Sequence, residues 1–420
     1  MLIVHDEQDG LVCALQIPSG RFCDPPGSEG CSELCMGLIQ KGTKGLSSEQ
    51  LSDIFEHHGA SLFAEAGEEH LMIGVKMLSR FRETLFPRFW EMVVAPRLDT
   101  AEFTRLQQEM ITALKAETND PGTIVNRHFY HELAGGTVHP AGRHHSVKSI
   151  KNLTLASVEA YHHDYINPAK SVFVCAGNVT REWFERFCLP LLEAWKPRGN
   201  GQLCDAPAVE NRPSAVRFIE KNDLTQVSMV IGQAAPGELH GDRNRIALAN
   251  YVLGAGNFSS RLMNRIRSSS GKTYSISSHI TTERHFGALT IATSTQNRQA
   301  GEVLKAILEE YSRFCREGIT AEELESVKRF AIGNMAFQLE GLTNLVEKML
   351  WLSFYNRTVD YIETFDEMIC SIDIDTVNEA IRRNFDPGRL IIAAVGRKKE
   401  VLADLSAFGT LKCFHYRDVI

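Results

Sequence analysis

The chain has 420 residues, of which 43% are hydrophobic and 23% are charged. This length exceeds what one hydrophobic core usually supports, so we expect a globular protein with two or more domains. The net charge of −7 argues against a nucleic-acid-binding protein, and no apolar run approaches the ~20 residues that span a bilayer.

The start of the chain and its cysteines both indicate a reducing compartment. Residues 1–7 lack the basic and long apolar stretches of a secretory signal peptide. The ten cysteines are scattered and form no Cys-x-x-Cys pair, and some, such as Cys175, stand in apolar runs. Buried free thiols are the simplest explanation, because disulfide frameworks belong mainly to short secreted chains. We therefore expect a cytoplasmic protein without a membrane span.

In the first half of the chain, a long helix is followed by a helix, a turn and a strand. Thr100 is predicted to be the N-cap of the long helix, because acidic residues follow it in the first turn. Residues 157–177 then combine a helix, a turn at Asn167-Pro168 and a buried apolar strand that ends at Gly177.

The second half repeats this order. Strands are predicted at 228–232 and 291–295, and long amphipathic helices at 300–315 and 322–339, the second of them capped by Thr320. An Asp386-Pro387 turn and a buried strand ending at Gly396 follow. Pro387 lies as far from Pro168 as Gly396 lies from Gly177, which indicates an internal repeat.

The repeat predicts two homologous domains in tandem. The N-terminal domain is predicted at residues 1–195 and the C-terminal domain at 213–420. The linker at 196–212 begins with the turn-forming, polar sequence KPRGNGQ. Strands come first in each half and helices are grouped later, which predicts an α+β fold with helices covering one face of each sheet.

Residues 30–43, which read GCSELCMGLIQKGT, resemble the zinc helix of the pitrilysin/insulinase family of metallopeptidases. In that family a Gly opens the helix, the inverted motif His-x-x-Glu-His follows, and Lys-Gly-Thr closes it. Residues 254–262 (GAGNFSSRL) and 267–275 (RSSSGKTYS) are similar to segments of its mitochondrial-processing-peptidase-like branch. The resemblance covers about residues 10–397 and implies mostly antiparallel sheets. It also implies that two such chains enclose a chamber that admits unstructured peptides.

The resemblance further implies that the zinc chemistry is missing. The two His positions fall at Glu33 and Gly37, the general base falls at Met36, and the third ligand falls at about Ala113. A zinc peptidase needs three protein ligands and a nearby Glu that accepts a proton from the bound water. Glu33 is the only potential ligand among the four, so we expect no catalytic residue and no metal in this chain.

No other group of residues offers a complete replacement for the zinc site. Each candidate set lacks a ligand or has a simpler explanation as a solvated helix face, a loop or a packed cysteine pair. These sets are Asp53, Glu56 and His57; Glu69 and His70, with Ala66 in place of a His; His131 and Glu132, with Gly135 in place of a His; His139, His144 and His145; and Cys31 with Cys35.

Arg267 and Tyr274 match a pair that, in the family, reaches the zinc site of the facing half. A Tyr hydroxyl donates to the oxyanion that forms on the scissile carbonyl, and an Arg binds a peptide carbonyl or carboxylate. The simpler alternative is a surface Arg and a half-buried Tyr. The preceding Ser-Ser-Arg-Leu sequence favours the functional interpretation.

The leading hypothesis is a non-catalytic subunit of a heterodimeric zinc metallopeptidase. A homologous partner chain would hold the zinc, and this chain would contribute Arg267 and Tyr274 to the binding of unstructured peptides. One alternative is a peptide-binding or assembly protein of the same fold with no part in proteolysis. Another is an active homodimer with a rearranged metal site, which stoichiometric zinc in the purified protein would support.

Overall fold

The structure is a computed structural model that describes residues 2–6, 9–198, 206–210, 212–268 and 273–418. The side chains of Arg267, Ser268 and Tyr274 lie outside this description. No helix in these ranges is both long enough and apolar enough to cross a membrane.

The strands of the described residues form two sheets. The strands are β1 (Leu2–His5), β2 (Gly10–Ile17), β3 (Ser61–Ala66), β4 (Leu71–Leu78), β5 (Val172–Gly177), β6 (Ala215–Glu220), β7 (Gln226–Pro236), β8 (Thr273–Thr282), β9 (Phe286–Gln296), β10 (Ile391–Gly396) and β11 (Thr410–His415).

Helices in the first half of the chain are α1 (Cys31–Ile39), α2 (Ser48–His57), α3 (Arg82–Val94), α4 (Thr100–Glu117), α5 (Pro121–Leu133), α6 (Val147–Asn152), α7 (Leu155–Tyr165), α8 (Arg181–Trp183) and α9 (Leu189–Ala194). Those in the second half are α10 (Arg243–Asn250), α11 (Ala300–Glu317), α12 (Ala321–Phe337), α13 (Leu342–Phe354), α14 (Asp360–Glu363), α15 (Phe365–Cys370), α16 (Ile374–Asn384) and α17 (Lys398–Leu405).

The chain packs as two compact units, each assembled from three segments. The first unit comprises Met1–Leu114, His145–Asp205 and Met335–Ile362, and the second comprises Lys115–His144, Ala206–Asn334 and Glu363–Ile420. Each unit therefore includes a helical segment from the other half of the sequence. The contiguous domains at 1–195 and 213–420, with their linker at 196–212, follow the internal repeat and stay a prediction. Part of that linker lies outside the described residues.

Both sheets have the same mostly antiparallel topology, as expected. The first sheet has the order β1-β5-β2-β4-β3 and the second has the order β11-β6-β10-β7-β9-β8. β1 pairs with β5, and β6 with β10, in parallel, while the next three pairings of each sheet are antiparallel. The second sheet adds β11, parallel to β6. The matching orders confirm the α+β fold with two homologous parts.

In the first unit, helices cover both faces of the sheet. Alternate residues of a strand point to opposite faces. Leu11, Cys13 and Leu15 of β2 belong to a large core shared with α1, α2, α3, α4 and α7. Val12 and Ala14 belong to a smaller core shared with α13. The expected helical layer on one face is present, and α13 adds a partial layer on the other.

The second unit has the same arrangement. Phe218 and Met229 face a core shared with α11, α12, α16 and α17. Ile219 and Val230 face a smaller core formed with Phe129 and other apolar residues of α5. The second face of each sheet is thus covered by a helix from the other half of the sequence.

The predicted helix caps are right for α12 and wrong by one residue for α4. Thr320 Oγ1 accepts a hydrogen bond from the backbone N–H of Glu323 at 3.2 Å, and the Glu323 carboxylate accepts one from the Thr320 N–H at 2.8 Å. At α4 the cap is Asp99, whose Oδ1 accepts from the Ala101 N–H at 2.8 Å, and Thr100 begins the helix. An Asp immediately before a Thr competes for the same role, because both side chains cap well.

The cysteines largely match the expectation of free thiols. Among the described residues eight are free, and six of these are buried. Cys23 departs from the expectation, because it is disulfide-bonded.

Candidate functional site

The N-terminus of α1 is fixed by a glycine and a buried carboxylate. Gly30 has φ 96°, a left-handed conformation that favours glycine. Asp24 accepts hydrogen bonds from the backbone N–H groups of Gly30 and Ser32, each at 2.8 Å, and from Ser32 Oγ at 3.2 Å. Burial raises the pKa of Asp24 to about 7, against the hydrogen bonds, which lower it.

Two of the degenerate zinc positions carry no polar side chain. Met36, at the position of the general base, is 1% exposed and belongs to the hydrophobic core. A Cβ added at Gly37 would lie 3.6 Å from Cδ1 of Leu106, a residue of α4. Neither residue supplies the nitrogen, thiolate or carboxylate ligand that zinc prefers, and neither can accept a proton from water.

Glu33, the remaining carboxylate on α1, is bound by two basic side chains. Arg21 Nη1 lies 3.2 Å from Glu33 Oε1, and His145 Nδ1 lies 3.4 Å from Glu33 Oε2. Arg21 also pairs with Glu68. Burial lowers the pKa of Arg21, but Glu68 and Glu33 raise it more, so the guanidinium stays charged. Both oxygens of Glu33 are therefore engaged by protein groups.

Ala113 is exposed on α4. Two other α4 side chains lie near the α1 segment: Leu106 is near Gly37, and Met110 Cε lies 3.6 Å from the position of a Cβ added at Gly30. Glu33, Met36 and Gly37 are brought together on one helix.

The alternative metal sets do not assemble either. In the described ranges no group of three or more His, Cys, Asp or Glu side chains could hold a metal ion. Asp53, Glu56 and His57 are exposed on α2. His139 uses both ring nitrogens on the backbone, with Nε2 at 2.8 Å from Pro207 O and Nδ1 accepting from Ala141 N–H at 3.0 Å.

The remaining sets are bound in other ways. Glu132 pairs with Arg217 at 2.6 Å. His70 packs on the Phe354 ring with 5.2 Å between the ring centroids. Cys31 and Cys35 are buried, and burial raises the pKa of both thiols, which disfavours the thiolate that binds metals.

The backbone positions of Arg267 and Tyr274 are described, but their side chains are not. Arg267 lies in the helical turn Met263–Ser268 and Tyr274 lies near the start of β8, where the register against β9 shifts between Thr273 and Ile276. The segment before them is well held, because Arg261 forms two hydrogen bonds to Glu323 at 2.7 and 2.5 Å. The roles of Arg267 and Tyr274 stay a prediction.

The sequence did not reveal which basic residues pair with Glu33. Arg21 stands in the turn before α1, Glu68 in the β3–β4 hairpin and His145 before α6. None belongs to a motif with Glu33, and only the packing of the unit brings them together.

Comparisons with known proteins agree with this fold. A model described as insulinase (peptidase family M16) matches residues 1–135, and one described as peptidase M16 inactive domain matches residues 152–330. The chain belongs to the M16 family. It is an inactive M16 homologue.

Two relatives extend over most of the chain. The non-peptidase homolog YmxG of Helicobacter pylori is 23% identical over 378 residues, which cover 88% of this chain and 85% of that protein. The uncharacterized zinc protease YmxG of Bacillus subtilis is 23% identical over 383 residues, with 88% and 89% covered. M16 homologues of this kind thus carry both peptidase and non-peptidase names.

A solved structure shares the M16 fold. The peptidase M16 inactive domain from Pseudomonas fluorescens superposes with a TM-score of 0.87 at 23% identity, and covers 94% of this chain and 95% of that chain. At this identity the likeness supports the fold alone.

Proposed function

We propose that this chain is the non-catalytic subunit of a two-chain zinc metallopeptidase that acts on unstructured peptides. Its partner is a homologous M16 chain with an intact zinc motif. The observation that carries the proposal is the state of α1: the helix is kept, Met36 is packed in the core, and Glu33 is paired with Arg21 and His145.

In this proposal Arg267 and Tyr274 act on substrate held at the partner's zinc. The Tyr274 hydroxyl donates to the oxyanion that develops on the scissile carbonyl, and Arg267 binds a peptide carbonyl or carboxylate. Their place after the Ser259-Ser260-Arg261-Leu262 sequence supports these roles. Eight free thiols among the described residues support a cytoplasmic location for the complex, whereas the disulfide-bonded Cys23 does not.

The test is peptide hydrolysis by this chain mixed with a zinc-bearing M16 chain from the same genome. Neither chain alone is expected to cleave an unstructured peptide efficiently, and the mixture is. Tyr274→Phe in this chain is expected to lower kcat by roughly 10²–10³, the usual loss for one oxyanion donor. Arg267→Ala is expected to weaken peptide binding as well.

Tyr416→Phe and Arg298→Ala are matched controls, because both residues lie outside the proposed site; Arg298 is exposed and Tyr416 is partly buried. They are expected to leave hydrolysis unchanged. Full activity of the mixture with Arg267→Ala and Tyr274→Phe combined would contradict the proposal, as would equal activity of the zinc-bearing chain without this subunit.

A second candidate is a peptide-binding or assembly protein with no part in cleavage. The name of the H. pylori relative, a non-peptidase homolog, favours it. It predicts that this chain binds unstructured peptides or a partner complex alone and that no zinc-bearing M16 chain co-purifies with it. Affinity purification of the tagged chain followed by mass spectrometry distinguishes the two candidates.

A further inference from the structure

The second unit contains a cavity surrounded by arginines. It has a volume of about 450 Å³ and lies beside the C-terminal ends of α11 and α16. Four guanidinium groups line it, from Arg316, Arg382, Arg383 and Arg389, together with a single carboxylate from Asp386. We call this the cationic cavity. Four arginines around one space stand out in a chain whose net charge is −7.

Protein carboxylates satisfy only part of this charge. Arg316 pairs with Glu317 at 2.8 Å and Arg389 with Asp386 at 3.2 Å. Arg382 is exposed, and within the described part of the chain it forms no ion pair. A guanidinium has five N–H donors, so one carboxylate partner leaves donors available.

Arg383 is held in a fixed position by a buried acid. Asp242 is 4% exposed and accepts hydrogen bonds from Arg383 Nε at 3.0 Å and Nη2 at 2.9 Å. The same carboxylate accepts a hydrogen bond from Asn384 Nδ2 at 2.9 Å. The hydrogen bonds from Arg383 to Asp242 orient the Arg383 guanidinium before a ligand binds.

A second cavity with mixed walls adjoins the cationic one. It has a volume of about 510 Å³ and shares Arg383 and Asn384 with the cationic cavity. One part of its wall is apolar and includes Pro236 and Leu239, whose side chain remains 43% exposed, and another part contains His240, Arg284 and His285. Apolar walls next to clustered charged donors are typical of small-molecule sites.

The helix dipole explains part of this arrangement. Cations near a helix C-terminus are stabilising, which accounts for Arg316 at the end of α11 and for Arg382 and Arg383 at the end of α16. It does not account for Arg389, which ends the separate short turn Pro387–Arg389, or for the apolar wall of the adjoining cavity.

We propose that the two cavities together bind a small ligand in which a phosphate or carboxylate group is joined to an apolar body. The anionic group contacts the guanidinium fork of Arg382, which suits both kinds of oxyanion. It also contacts Nη1 of Arg383, because Nε and Nη2 of that residue already bind Asp242. The apolar body lies against Pro236 and Leu239. This proposal is independent of any role in proteolysis.

The experiment is calorimetric titration of the full-length chain with phenyl phosphate, benzoate, inorganic phosphate and benzyl alcohol at low ionic strength. At least one aromatic anion is expected to bind more tightly than inorganic phosphate, and neutral benzyl alcohol more weakly than either aromatic anion. Tighter binding of phenyl phosphate than of benzoate assigns a phosphate ligand, and the reverse order assigns a carboxylate. Added salt is expected to weaken binding of the anions, because the arginines of the cationic cavity are partly exposed to solvent.

Arg382→Ala is expected to weaken binding of the better aromatic anion about ten-fold, the loss of a charge-assisted hydrogen bond. Arg298→Ala is the control: this arginine is exposed in the same unit but does not line either cavity. Arg382→Gln keeps a polar side chain and serves as a second variant if the alanine protein folds poorly.

Three outcomes would overturn the proposal. One is the absence of binding by both aromatic anions, a second is equal binding of benzyl alcohol, and a third is equal weakening by Arg298→Ala and Arg382→Ala.

Discussion

Met36 stands where the family resemblance predicts the catalytic base, and its side chain is part of the hydrophobic core. Its side chain is 1% exposed and packs within the main hydrophobic cluster of the first unit. A glutamate at this position, without a metal beside it, would bury a charge with no compensating partner, which costs several kcal/mol. Without zinc ligands nearby, an apolar residue at this position stabilises the helix. Met36→Glu is expected to lower the free energy of unfolding.

Asp24 makes the stability of the first unit depend on pH. Burial raises the pKa of its carboxyl group from 3.8 to about 7. The folded chain therefore holds this proton at pH values where the unfolded chain has released it. The stabilising contribution is fully present below about pH 4 and is lost as the pH rises toward about 7, by up to about 1.4 kcal/mol per pH unit.

We expect Asp24→Asn to flatten this dependence. The difference in the free energy of unfolding between about pH 4 and pH 7 should be smaller in the variant than in the natural chain, because an amide does not titrate. Urea unfolding at a series of pH values measures it, with the exposed Asp53→Asn as the control. Parallel curves for the natural chain and Asp24→Asn would show that Asp24 does not titrate in this range.

Helix α5, which comes from the first half of the sequence, is held on the second sheet by a buried ion pair. Arg217 of β6 is 5% exposed and contacts Glu132 at 2.6 Å, and its guanidinium lies 4.1 Å from the centroid of the Phe414 ring. Arg217 also donates to His128 Nδ1 at 3.2 Å. Burial and the charge of Arg217 lower the pKa of His128 to about 3, so this ring stays neutral and accepts the hydrogen bond.

We expect Glu132→Ala to lower the free energy of unfolding by about 3–5 kcal/mol, because it leaves Arg217 buried without its carboxylate. The double variant Arg217→Met with Glu132→Leu should lose much less than the sum of the losses of Arg217→Met and Glu132→Leu made singly. Urea unfolding measures all four variants, with the exposed Glu159→Ala on α7 as the control. Additive losses would show that the two residues are not coupled.

Elements with local signals were predicted well from the sequence, and their packing partners were not. The helix predicted at 300–315 is observed at Ala300–Glu317, and the one at 322–339 at Ala321–Phe337. An apolar periodicity identifies which face of a helix is buried, but not which sheet buries it. The packing of α5 and α13 on the sheet of the other half therefore had no signal in the sequence.

The whole molecule is expected to contain no zinc when purified alone. After dialysis against zinc-containing and then metal-free buffer, elemental analysis should find well below one zinc per chain, because Glu33 is already paired and Met36 and Gly37 offer no ligand. A zinc-bearing M16 chain treated in the same way is the positive control. Stoichiometric zinc would contradict this expectation and revive the active homodimer.

The repeat of the fold was visible in the sequence, and the degeneracy of the zinc site stays a prediction. Matching Pro and Gly separations predicted two like halves, and the two sheets share one strand order apart from the added β11. The loss of zinc ligands was predicted at Glu33, Met36 and Gly37. The pairing of Glu33 with Arg21 and His145 was not predicted, because these two residues approach Glu33 from segments that are separate in the chain.

Because α5 packs on the second sheet and α13 on the first, cutting the chain between its two halves would separate each helix from its sheet. A fragment that ends in the linker would carry α5 without the sheet it packs on and would lack α13, which covers Val12 and Ala14. Each fragment would expose one apolar sheet face and one apolar helix face, a combination that favours aggregation. We therefore expect the two halves to be less soluble when they are expressed separately than when they are expressed as one chain.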